Sequence, residues 1–215
     1  MNKNYKYANG QIYHLFNRGV AKQPIFRDAH DYQRLLNTFA YYLEANPAQK
    51  ISEKSKRDLN QIITSPVKKP LVQILAYCLM PNHFHLLVKQ LKNHGITIFA
   101  KRALNSYTRY FNVRHDRVGT IFQGKLKKVL VDNDSQLLHL SRYLHLNPYI
   151  DGLINKPSKY SWSSYQSYLT NQKNRLCAPK LILEMIGSNL DYKKFVEDYA
   201  DYAKSLALIK HSQIE

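Results

Sequence analysis

"LVQILAYCLMPNHFHLLVKQ" (71–90) is two apolar runs separated by a Pro-Asn dipeptide. Each run has the length of a strand and is rich in branched and aromatic residues, and Pro81-Asn82 is a turn signal. The stretch therefore reads as an antiparallel strand pair over 71–81 and 83–90. Successive side chains on a strand alternate between faces, so Phe84, Leu86 and Val88 share one face, suited to a core, while His83 and His85 share the other. At a rise of about 3.3 Å per residue their Cβ atoms stand roughly 7 Å apart, near enough for two imidazoles to close on one ion. Two polar residues on the wet face of a strand fit the same pattern, and the pair alone does not decide between these readings.

Working outward, "QIYHLFNRGV" (11–20) alternates apolar and polar residues up to the turn-prone Asn17-Arg18-Gly19 and predicts a first strand, on which His14 takes a structural role. Asp28 is placed to cap a helix over 29–45, with Tyr32, Leu35, Leu36, Phe39 and Ala40 at helical spacing before Asn46-Pro47. Residues 48–70 are polar, lysine-rich and broken by Pro66 and Pro70, which predicts an insertion loop. A helical stripe of Ile96, Phe99, Ala103, Ser106 and Tyr110 predicts a helix over 95–112. A strand over 119–131 follows, "GTIFQGKLKKVLV", and Asp132-Asn133-Asp134 caps a helix over 135–148. The first six elements give β-α-β-β-α-β, the pattern of a ferredoxin-like α+β sandwich: one antiparallel sheet with helices on one face, here followed by an extra helix. This assigns residues 1–150 to one domain and 151–215 to a helical C-terminal extension packed on it, including an amphipathic segment over 190–210.

Among 215 residues, 32 Lys and Arg oppose 15 Asp and Glu, for a net charge of +17. Such an excess repels itself unless an anionic partner is present, and nucleic acid is the partner expected. Seventeen Tyr and eight Phe supply faces on which unpaired bases stack. The basic segments carry Arg109, Arg114, Lys125, Lys127 and Lys128 beside Phe111 and Phe122, as a DNA backbone track would, with Arg18 after the first strand reaching toward the same phosphates. Two distant cysteines without a CxxC pair, no apolar run of membrane-spanning length and no N-terminal apolar stretch point to a cytoplasmic location with no membrane association.

The helix over 135–148 sorts into two faces. Leu137, Leu140 and Leu144 form an apolar stripe, and His139, Tyr143 and Asn147 recur at four-residue spacing along a polar one. If that stripe meets the histidine strand, Asn147 becomes a third, neutral ligand and Tyr143 lies beside the ion. His139 could then handle a proton or merely line the groove. Otherwise Tyr143 is one tyrosine among many, and Asn147 simply ends a helix before Pro148.

Taken together, "YHLFNRG", "MPNHFHLLV", "GTIFQGK" and "LSRYLHLNP", in this order and spacing, resemble the single-tyrosine HUH transposases of the insertion-sequence-200 type, and among them the REP-associated group. The resemblance runs over about residues 10–168 and includes "YSWSSYQSY". It implies action on single-stranded or hairpin DNA with Mg²⁺ or Mn²⁺. The HUH metal ligands would be His83 and His85, Asn147 would stand at the third-ligand position, and Tyr143 would be the nucleophile. It leaves open whether Tyr143 serves its own chain or a second copy in a homodimer. The competing reading is a DNA-binding protein that keeps this fold without its chemistry, and the presence of all four residues counts against it.

Overall fold

The computed structural model of the protein describes residues 7–47, 49, 51, 62, 65–170 and 175–212. Its strand-patterned segments become β1 (Ile12–Arg18), β2 (Val72–Met80), β3 (His83–Gln90) and β4 (Lys127–Leu130). They pair in the order β2-β3-β1-β4 with every neighbour antiparallel. Helices α1 (Ala29–Tyr42) and α2 (Gly95–Arg114) complete the ferredoxin-like β-α-β-β-α-β order expected from the sequence, and α3 (Asp134–Ile150) follows it.

Apolar alternation decides which face each helix covers. Phe84 of β3 meets Phe39 of α1 and Phe122 at ring separations of 5.7 and 5.8 Å, and Phe39 meets Phe99 of α2 at 5.7 Å, so α1 and α2 share one side of the sheet. The opposite side, where His85 faces Tyr143, belongs to α3. Asp28 caps α1 by accepting from the amides of His30 and Asp31, and Asn133 caps α3 by accepting from that of Gln136. The Pro81-Asn82 turn is held by a second loop: the Gly19 amide donates to the Asn82 carbonyl and the Ile25 amide to that of Pro81. Position 19 admits no side chain, because a Cβ there would lie 2.0 Å from the Gln23 carbonyl oxygen.

Several boundaries differ from the expectation. Helix α1 stops at Tyr42, and the Leu43 carbonyl and the Glu44 carboxylate turn to bond the amides of Leu71, Lys68 and Lys69. Of the expected insertion loop, residues 48, 50, 52–61 and 63–64 lie outside the described residues. The strand expected over 119–131 is interrupted: residues 121–123 bond to the end of β1, Gly124 turns with φ +66°, and only Lys127–Leu130 resume pairing. Pro148 does not end α3, which continues to Ile150. Proline removes one backbone donor in this last turn, and the burial of Leu146, Asn147 and Pro148 against the domain holds the turn in place.

The extension contributes α4 (Tyr165–Leu169), α5 (Lys180–Ile186), α6 (Asn189–Glu197) and α7 (Ala200–Ser212), and the amphipathic segment over 190–210 is divided between the last two. It also runs along the outer margin of β2. Leu79 donates to the Trp162 carbonyl, Ser164 and Ala178 donate to the carbonyls of Tyr77 and Ile74, and the Tyr160 and Tyr168 hydroxyls donate to those of Leu79 and Leu75. A strand edge that would otherwise present a row of unpaired amides and carbonyls is thereby satisfied.

Candidate active site

On the α3 side of the sheet, the rings of His83 and His85 lie 5.0 Å apart and nearly perpendicular, at 89°. The Nδ1 of His83 is 2.7 Å from the Asn82 carboxamide oxygen, which only accepts, so Nδ1 carries the proton and Nε2 keeps its lone pair. His85 contacts His14 of β1, Nδ1 to Nε2, at 2.9 Å. The ring of Tyr143 on α3 stands 5.9 Å from that of His85. One turn further, the Asn147 side chain lies beside the Tyr143 phenol, and its buried Nδ2 has no hydrogen-bond partner. The structure thus brings His83, His85, Tyr143 and Asn147 together within one chain.

Burial shapes the protonation of these groups. It lowers His83 and, more strongly, His85, whose neighbours His83 and His14 add to the effect, so both imidazoles are neutral and able to donate a lone pair. Burial also raises the Tyr143 phenol above its ordinary value, with the neighbouring Asn147 amide opposing that rise. Tyr143 nevertheless remains 45% exposed, open to a ligand approaching from solvent.

These residues suit a hard divalent ion. Among the described residues no three of His, Cys, Asp or Glu cluster to hold a metal, so a third donor has to come from another side-chain type. Asn147 fits: its carboxamide lies beside Tyr143, and of its two ends the nitrogen is buried without a partner. A half-turn of the amide exchanges oxygen and nitrogen between those ends. The resulting set, two imidazoles and a carboxamide oxygen, adds no negative charge to the ion.

The basic residues divide into two groups. Arg18 pairs in register with His83, and Lys127 with Phe16, whose ring stacks on His14 and His85, so these two cations border the histidines. Lys125 is exposed between Gly124 and β4. Lys128 points to the other side of the sheet, 4.4 Å from the Tyr7 ring. Arg109 and Arg114 lie on α2, across the sheet from the histidines, in a groove of about 750 Å³ that also involves Arg34, Arg102 and Tyr110. Arg114 is held there by Asp28 and by the fully buried Asp31, at 2.7 and 2.6 Å. The single track suggested by the sequence is two separate surfaces.

Two expectations about α3 and β1 also change. His139 accepts a hydrogen bond from Arg142, which stacks over Phe195 and Tyr199 of the extension, so it is engaged away from the phenol. His14 and Asn82 touch the histidine pair directly, and Asp151 lies close enough for its charge to act on both His83 and Tyr143. For His14 the signal lay in the alternation of β1, which sets it two residues from Phe16. Nothing in the spacing marked Asp151.

The described residues contain no helix long and apolar enough to cross a membrane. A solved structure of a REP-associated tyrosine transposase bound to a REP hairpin is similar in fold, with a TM-score of 0.52 at 18% sequence identity over 79% of this chain and 86% of that one. The sequence model of the family described as "Transposase IS200 like" matches residues 44–147, a span that holds His83, His85, Tyr143 and Asn147. Residues 44–147, about half of the chain, are thus similar to this transposase family. No curated protein matches it.

Proposed function

We propose that the protein cleaves and rejoins single-stranded DNA, in the manner of the REP-associated group, with Tyr143 as nucleophile and a divalent ion, Mg²⁺ or Mn²⁺, held by His83, His85 and Asn147. The observation that carries this reading is the approach of Tyr143 to His85, with ring centres 5.9 Å apart, on an open side of the sheet bordered by Arg18 and Lys127. Because both rings belong to one chain, the same observation supports use of the tyrosine in its own chain's site. Hairpin DNA as substrate is supported by the similar protein solved with a REP hairpin.

A phenol with a pKa near 10 is ionised to about one part in a thousand at pH 7, so attack on a phosphodiester needs assistance. The bound ion would supply it by neutralising non-bridging oxygens of the scissile phosphate. Tyr143 Oη attacks phosphorus, its proton leaves to solvent, and the departing 3′ oxygen takes up a proton as a free hydroxyl. The 5′ fragment end stays on Tyr143 as a phosphotyrosine, and a second DNA end can reverse the step without external energy. Arg18 and Lys127 hold the flanking phosphates. Asn147, beside the phenol, helps to orient it.

Incubation of the protein with labelled hairpin DNA carrying a single-stranded flank, in Mg²⁺ or Mn²⁺, should give a covalent protein–DNA species on a denaturing gel. His83→Ala should lose it even at saturating metal. Cleavage without an adduct would assign the attack to water and overturn the role of Tyr143.

A further inference from the structure

His14 has no part in the reaction as set out above, yet it is 8% exposed and packed against a proposed metal ligand. Its direct partner across the β1–β3 ladder is Leu87, while His85 is paired with Phe16. The contact is therefore diagonal, and it is aligned by stacking: the His14 ring lies 5.1 Å from His85 at 22° and 5.0 Å from Phe16 at 30°. It closes in a single hydrogen bond, Nε2 to Nδ1, at 2.9 Å. A nitrogen–nitrogen contact of this length holds one proton between two atoms, and which ring owns it fixes the tautomer of His85.

We infer that His14 is a positioning residue whose Nε2 accepts a hydrogen bond from the Nδ1–H of His85, leaving the His85 Nε2 lone pair free to bind the divalent ion. The companion ligand gives an independent reason for this direction. His83 already has its Nδ1 proton held, by the Asn82 oxygen, which leaves its own Nε2 free. With His14 as acceptor the two ligands match, each presenting Nε2 and each anchored through Nδ1. With His14 as donor, His85 would carry its proton on Nε2 and could not ligate through it. Partners on the far nitrogen of a ligating histidine commonly change metal affinity by about 10- to 100-fold when removed. The inference rests on the proposed metal role of His83 and His85 but concerns a residue outside that ligand set.

The test needs no DNA. Long-range ¹H–¹⁵N spectra of the metal-free protein report the tautomer of His85, and titration with Mn²⁺, followed by electron paramagnetic resonance, reports affinity. Wild type should show His85 protonated at Nδ1. His14→Leu should shift the proton to Nε2 and weaken Mn²⁺ binding by about 10- to 100-fold. His14→Gln, whose carboxamide oxygen can accept where Nε2 did, should restore affinity to within a few-fold of wild type. If His14→Leu does not fold, the wild-type spectrum and His14→Gln decide. A wild-type His85 protonated at Nε2, or unchanged Mn²⁺ affinity in folded His14→Leu, overturns the role of His14 and leaves the metal reading standing. No Mn²⁺ binding by wild type overturns both.

Discussion

On one side of β3, Phe84, Leu86 and Val88 are at most 2% exposed and closed in by α1 and α2; on the other, His83 and His85 face a half-open tyrosine on α3. The first side is held by many interchangeable van der Waals contacts. The second depends on two hydrogen bonds of specific geometry, from Asn82 and His14, and on the Asn147 side chain beside Tyr143. Damage on the first should therefore appear as lost stability, and damage on the second as lost chemistry in a folded protein.

Tyr143→Phe tests this contrast most severely. It removes one half-exposed hydroxyl, so the covalent DNA adduct should vanish while the melting temperature hardly moves. A persistent adduct would break the contrast at its centre. Phe84→Ala should do the reverse, costing about 3–5 kcal/mol of unfolding free energy in denaturant titration. A loss below about 1 kcal/mol would mean that the apolar side is less tightly packed than its burial indicates.

Acid should reveal the polar groups buried around α3. His145 is fully buried, donating to or accepting from Ser164 and Tyr192 of the extension at 2.8 Å each, and burial lowers its pKa to about 3. Burial lowers His14 to about 4. Below about pH 6.5 the unfolded chain takes up protons that these folded imidazoles refuse, so stability is full above that pH and falls as pH drops toward the folded values. One such site contributes a slope of about 1.4 kcal/mol per pH unit. His145→Gln should flatten the stability profile between about pH 6 and 4 by up to this amount, and an unchanged slope would show that His145 does not titrate as described. The smallest effect belongs to Lys127→Gln, which should lower DNA affinity a few-fold and reduce the salt dependence of binding by about one counterion. Arg114→Gln should leave that salt slope nearly unaltered, because Arg114 is already neutralised by Asp28 and Asp31.

The order of elements was legible because β3, β1 and α1 carry strong periodicity and explicit caps. The α3 stripe of Tyr143 and Asn147 was legible for the same reason, since helical spacing alone puts both on one side. What the sequence could not show was tertiary placement. The arginines of α2 and the lysines near β4 are equally basic as strings, but the sheet separates them. His14 looked structural because the alternation of β1 fixes its side of the sheet but not its diagonal partner on β3. The break at Gly124 was missed because "GTIFQGKLKKVLV" is strand-like throughout, and only the chain's turn there ends the pairing.

The segments 160–168 and 176–178 also bear on how the molecule can be cut or assembled. By occupying the margin of β2 they leave no place for another chain to add a strand beside it, and the opposite margin of the sheet is four exposed residues with two lysines, a poor template for a neighbour. A fragment ending at residue 150 would retain every element of the β-α-β-β-α-β order yet uncover the apolar edge at Ile74, Leu75, Tyr77 and Leu79. Such a fragment should precipitate by strand pairing between copies, and covering that edge is what the extension does for the sheet.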